Sequence, residues 1–111
     1  MDLTPTHYCI VRADLPRGVL AAQLIHAAGH SADLHAGPGP LPAGTRAVAL
    51  AADDEPHLAT IVARARALGV AHVAIHEPDP PWSGALMAVG LAPVRDRSTV
   101  RRLTRGLRLL P

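Results

Sequence analysis

The 111-residue sequence predicts an α/β fold, a single-domain three-layer sandwich with a mixed, mostly parallel sheet of four to five strands flanked by helices. Three observations carry that expectation. Apolar, strand-like runs alternate with segments of helical period, in the order β-α-β-α-β-β-α-β. The length suits one domain over residues 1–111. Hydrophobic residues make up 49% of the chain, enough for one core, and with no Phe that core must be Leu, Val, Ile and Ala.

The elements follow in order. Met1 to Thr6 is a short polar lead, and Tyr8 to Ala13 is the first strand. A turn from Asp14 or Leu15 leads into a helix that runs to about Asp33, with Pro16 tolerated in its first turn. Leu20, Leu24, Ala27 and Ala28 form its apolar stripe; Val19, Gln23, His26 and His30, spaced by four, three and four, form the adjoining one. Gly37 to Gly44 is a Gly/Pro loop. Thr45 to Ala51 is the second strand. Asp53, Asp54 and Glu55 crowd the start of a second helix, where acids favour the positive end of the dipole. Its stripe is Leu58, Ile61, Val62, Ala65 and Leu68, and Gly69 terminates it. Val70 to His76 is the third strand, followed by the proline-rich loop Glu77–Gly84. Ala85 to Leu91, apolar throughout, is a central strand. Asp96 to Arg105 is a short basic helix with Val100 and Leu103 inward, and Leu107 to Leu110 closes the chain as a strand.

All eleven basic residues are Arg, and the formal net charge is +2. From Pro81 onward there are six Arg against the single acid Asp96. That imbalance is either a polyanion footprint or a solvated helix face. The single cysteine, Cys9, excludes an internal disulfide and reads as a small core residue. No run reaches the ~18 apolar residues of a membrane span, and a signal-peptide pattern is missing, so a cytoplasmic location without membrane contact is expected.

In open α/β sheets, sites form beyond the carboxyl ends of parallel strands. If the first and third strands are near neighbours, Arg17, Gln23, His26, His76, Glu77, Asp79 and Ser83 converge. Arg17 and the helix N-terminus would hold a phosphate or oxyanion. Imidazole and carboxylate would orient or deprotonate water. Such a set suits hydrolysis of an activated ester carried by a polyanion. Each residue also has a plainer reading. His26 is otherwise a hydrogen-bonded structural histidine, Gln23 otherwise bonds backbone, and Trp82 either stacks a nucleobase or caps a core edge. His26 and His30 are spaced for a metal, but there is no interposed Glu or third ligand, so neither metal nor cofactor is expected.

Ile10-Val11-Arg12-Ala13-Asp14-Leu15, then Ala21-Ala22-Gln23 and His26-Ala27, resemble the opening of the type II peptidyl-tRNA hydrolases, with their Val-Arg-x-Asp-Leu and Ala-Ala-Gln-x-x-His-Ala motifs. Ala88-Val89-Gly90-Leu91-Ala92-Pro93 is similar to that family's Ala-Ile-Gly-Pro-x-Pro strand end. Thr104-Arg105-Gly106-Leu107-Arg108-Leu109-Leu110 is similar to its closing Thr-Gly-x-Leu-Lys-Leu-Leu. The resemblance implies a mixed sheet flanked by helices and a metal-free hydrolysis of the ester joining a peptide to the tRNA 3′ ribose.

Two motifs differ. The family's Gly-Lys-Gly-Lys run is shortened here to Pro16-Arg17-Gly18-Val19, so its functional Lys falls at Val19 and only Arg17 is a nearby cation. Its Asp-Ala-Gly-x-Thr-Gln loop is replaced by His76-Glu77-Pro78-Asp79-Pro80-Pro81-Trp82-Ser83, with Glu77 nearest the Asp and no Thr. These features resemble a divergent branch, the peptidyl-tRNA hydrolase domain-containing proteins. The expectation is therefore a divergent peptidyl-tRNA hydrolase with Arg17, Gln23, His26 and Glu77 catalytic. Gly18, His76, Asp79, Trp82, Ser83, Arg101 and Arg105 would bind a tRNA or acyl-tRNA partner. The alternative is a catalytically impaired tRNA- or protein-binding module of the same fold, or a plain interaction domain. A homodimer is compatible with a small sheet carrying an apolar flank.

Overall fold

Alternation along the first strand decides the layers. In β1 (Thr6–Arg12), Tyr8 and Ile10 join one core cluster while Cys9 and Val11 join another on the opposite face. The computed structural model describes residues 4–111, so the start of the expected polar lead lies outside the described residues and Thr6 already belongs to β1. One face of the sheet is covered by α1 (Arg17–Ala32), the other by α2 (Glu55–Ala67) and α3 (Ser98–Thr104). The remaining strands are β2 (Arg46–Ala52), β3 (His72–Glu77), β4 (Ala85–Leu91) and β5 (Arg108–Leu109).

The sheet order is β3-β4-β1-β2-β5. β1 and β2 pair in parallel across the α1 crossover. The β1–β4, β3–β4 and β2–β5 pairs are all antiparallel. The mixed sheet is as expected, but the expected predominance of parallel pairing is not. β4 inserts between β1 and β3, although all three of β1, β2 and β3 point the same way. The reason is the short proline loop after β3, which returns the chain directly as a neighbouring antiparallel strand. β4 is central, as its unbroken apolar sequence requires.

Local rules account for the helix ends. Asp54 caps α2 by accepting from the His57 N–H at 3.0 Å, with Pro56 in the first turn and Gly69 at φ 70° beyond the end. α1 packs across β4, β1 and β3. It approaches closest at Gly90, where a Cβ would overlap the Ser31 hydroxyl and the Ala27 carbonyl. Gly90 therefore fixes how low the helix sits and which of its edges overhangs β3. The register of β3 on β4 shifts between Ile75 and His76, with Met87 as the extra residue. Met87 and Ala88 consequently both face α1.

Beneath the C-terminal end of α1 lies a buried polar pair that sequence reading did not single out. The Ser31 hydroxyl donates to the Ala27 carbonyl at 2.6 Å. With its proton so used, it accepts from His7 Nε2 at 2.7 Å, which places the His7 proton on that nitrogen. Cys9 Sγ stands 4.0 Å from the same nitrogen, and burial pushes its thiol up to about 11, as befits an inert core residue. Burial holds His7 below the ordinary imidazole range, so the folded state keeps it neutral. The unfolded chain binds a proton near pH 6.5, whereas the folded chain binds it only at lower pH. Stability is thus full above that pH and falls as the medium is acidified through it, by at most about 1.4 kcal/mol per pH unit from this group. Urea titrations between pH 7.5 and 5 should show that slope, and His7→Gln should flatten it. An unchanged slope in the variant would assign the acid sensitivity elsewhere.

Candidate functional site

Helical phase and the order of the sheet place the candidate residues. On α1, Val19, Gln23, His26 and His30 lie along the edge that overhangs β3. β3 is itself the outermost strand on that side. Between the two runs a groove of about 440 Å³, lined by Gln23, His26 and His30 from the helix and by His76, Glu77 and the backbone-side residues of β3. The His26 and His30 rings stand 6.3 Å apart, tilted by 32°. Gln23 is only 2% exposed, and its amide oxygen has no hydrogen-bond partner among the described residues. The expectation that this amide bonds backbone is not met for the oxygen. Buried acceptors are rarely left unpaired, which sets this oxygen apart from the other polar atoms of the groove.

The loop after β3 closes over this end of the sheet. The Trp82 and Ser83 N–H groups both donate to the Asp79 carbonyl, at 3.0 and 3.1 Å, and Gly84 N–H donates to the Glu77 carbonyl at 2.6 Å. Trp82 packs on the α1-side core, in keeping with the reading of it as a cap on the core edge. The Arg12 guanidinium lies over its ring at 5.9 Å. Arg12 also forms a two-pronged pair with Asp14, at 3.0 Å on each prong, and donates to the Leu86 carbonyl at 3.2 Å. These bonds join the end of β1, the start of β4 and the proline loop. The pairing holds the Asp14 carboxyl below the usual carboxylate range. Arg12 and Asp14 were not among the expected site residues. Their signal was the spacing of two at a strand end, which puts both side chains on one face.

The structure thus brings Gln23, His26, His76 and Glu77 to one groove and adds His30. It does not bring Arg17 there. Six residues separate Arg17 from Gln23, a rotation of about 240° at 3.6 residues per turn. Arg17 instead lines a separate hollow with Leu15, Leu20 and Leu110. Val19, where the family lysine would fall, packs on the core. Gly18, Asp79 and Ser83 are exposed at the rim and do not line the groove. Arg101 and Arg105 belong to the opposite face, because α3 buries Val100 and Leu103 against the α2-side core. Arg105 shares a cleft of about 560 Å³ there with Arg64 and Arg102. Among the described residues no carboxylate or imidazole lines that cleft, so they offer charge without a proton acceptor. Arg108, the last of the basic run, is paired with Asp53 at 2.8 Å. Among the described residues no group of three or more His, Cys, Asp or Glu side chains is placed to hold a metal ion, and no helix is long and apolar enough to cross a membrane.

The architecture is that of a small α/β sandwich with a histidine- and carboxylate-lined groove at one sheet edge. Comparison gives the class its family. The model for peptidyl-tRNA hydrolase PTH2 matches residues 6–110, and the chain belongs to that family. A solved structure of a protein of unknown function, Atu0240 from Agrobacterium tumefaciens strain C58, shares the fold with a TM-score of 0.62 at 18% identity, covering 98% of both chains. No curated protein matches the chain in sequence.

Proposed function

We propose that this protein is a divergent peptidyl-tRNA hydrolase that works in the cytoplasm on the ester between a peptidyl or acyl group and the tRNA 3′ ribose. Membership of the family supports the reaction class. The observation that carries the site is the buried, open amide oxygen of Gln23 in the same groove as Glu77 and His26. Glu77 accepts a proton from water as it attacks the ester carbonyl. The carbonyl carbon gains the water oxygen, its bond to the ribose 3′ oxygen breaks, and the proton held by Glu77 passes through an imidazole, His26 or His76, to that oxygen. Gln23 orients the ester by accepting from a donor beside it. With Val19 in place of a lysine, the described residues that line the groove include imidazoles and neither Lys nor Arg, and Arg17 takes no part in the chemistry. Arg101 and Arg105, with the Arg64 and Arg102 cleft beside them, meet the tRNA backbone away from the ester.

Glu77→Gln keeps the shape and removes the base. Its turnover of peptidyl-tRNA should fall on the order of 100-fold, while the melting temperature stays within a few degrees. Arg17→Ala should leave turnover near the parent's. Full activity in the Glu77 variant would remove the carboxylate from the mechanism. The binding-module alternative is favoured by one observation, the loss of the family lysine at Val19. It predicts tRNA retention with no hydrolysis above background.

A further inference from the structure

We infer that the outer edge of β3 receives the peptide arm of the substrate as an added, extended strand. The inference rests on the hydrolase reading for the identity of its occupant, and on the backbone for its geometry. β3 ends the sheet, and among the described residues no strand pairs with its outer side. Its inner side is fixed by the Ala92 N–H donating to the Ala71 carbonyl at 2.9 Å. In an antiparallel pair, hydrogen-bonded residues alternate with non-bonded ones. Ala71, Val73 and Ile75 therefore turn their N–H and C=O groups toward β4, and those of His72 and Ala74 point outward.

Ala74, with its outward groups, lines the groove that holds Gln23 and Glu77. A row of free backbone donors and acceptors is a template for another strand. Natural edges are protected by charge or proline, and here such residues stand only at the C-terminal end, at Glu77 and Pro78. The middle, Val73-Ala74-Ile75, is uncharged. The buried, unpartnered amide oxygen of Gln23 belongs to a residue of the same groove.

The direction of the added strand follows from the site. The ester carbonyl sits at the Glu77 end, so the peptide runs back toward His72, parallel to β3. Three residues separate Glu77 from Ala74, about 10 Å of extended chain. A peptide must therefore extend about three residues from the ester before it meets the Ala74 N–H and C=O. Recognition through backbone groups is indifferent to side chains, which suits a substrate whose peptide sequence is arbitrary.

The test uses N-acetylated substrates of one, two, four and six residues on the same tRNA. The expected kcat/KM rises about tenfold between one and four residues and then levels, the effect of two net hydrogen bonds at the low end of their range. N-methylation of the one substrate amide that faces Ala74 removes most of the gain, and methylation elsewhere does not. Ala74→Pro deletes an outward N–H at an edge, where proline is tolerated. It should abolish the length dependence. Equal rates at every length, with hydrolysis intact, would overturn the edge inference and leave the hydrolase reading standing. If no substrate is cleaved, titration with a 3′-amide-linked hexapeptidyl-adenosine decides the edge by itself. A shift of the Ala74 amide resonance upholds it while the hydrolase reading falls, and its absence overturns it.

Discussion

Gln23→Met should make this protein slightly more stable and almost inactive. The two effects come from one atom. Gln23 is 2% exposed and its amide oxygen is without a partner among the described residues, an arrangement that costs a folded protein about 1–3 kcal/mol. Methionine has the same length and no polar group to leave unsatisfied. A gain of about 1 kcal/mol is expected, read as an upward shift of the urea midpoint at constant slope, or as roughly 4–8 °C in melting temperature. Turnover of peptidyl-tRNA should fall on the order of 100-fold, the usual cost of one misplaced or missing orienting group. A residue that serves only the fold does not behave this way, because its loss lowers stability. A Met variant that is less stable yet fully active would show that the oxygen is a structural acceptor, and the groove would lose its strongest mark as a site.

Gly90→Ala carries the largest expected loss of stability. The added methyl would collide with the Ser31 hydroxyl and with the Ala27 carbonyl. The hydroxyl can rotate, but it is tied into the bonds with His7 and Ala27. The carbonyl belongs to the helix backbone and can move only if α1 lifts. Overpacking of this kind costs about 1–3 kcal/mol, and the backbone clash together with the disrupted Ser31 bonds places Gly90→Ala at the upper end. Adding Ser31→Ala should restore only part of the loss, since the Ala27 carbonyl remains. Because α1 carries Gln23 and His26, hydrolysis should fall as well, through displacement of the groove rather than loss of a reacting group. Urea unfolding of the single and double variants checks this. A loss under half a kcal/mol would mean that α1 does not rest on Gly90.

Much of the arrangement was legible in the residues themselves. The stripe Leu58, Ile61, Ala65 sets α2 because apolar spacing of three and four has one satisfactory solution against a sheet, and the Asp54 cap and Gly69 mark its ends by local hydrogen bonding and a positive φ. β4 could be placed centrally because an unbroken apolar run is stable only with both faces covered. The shared stripe of Gln23, His26 and His30 was legible for the same reason, as was the family, whose motifs are read off in order. These are properties of neighbours in the chain, and short-range geometry decides them.

Tertiary structure alone decided the rest. Whether Arg17 joins Glu77 depends on which side of α1 meets β3, and that was settled by the close approach of α1 at Gly90, 73 positions along the chain from Arg17. The pairing of His7 with Ser31 joins residues 24 apart and has no local pattern. The predominance of antiparallel pairs came from β4 inserting between β1 and β3, a choice of strand order on which local hydropathy is silent. The same insertion put β3 at the edge and so opened the groove. Periodicity tells a side chain which way to face; only packing across the whole molecule tells it what it will face.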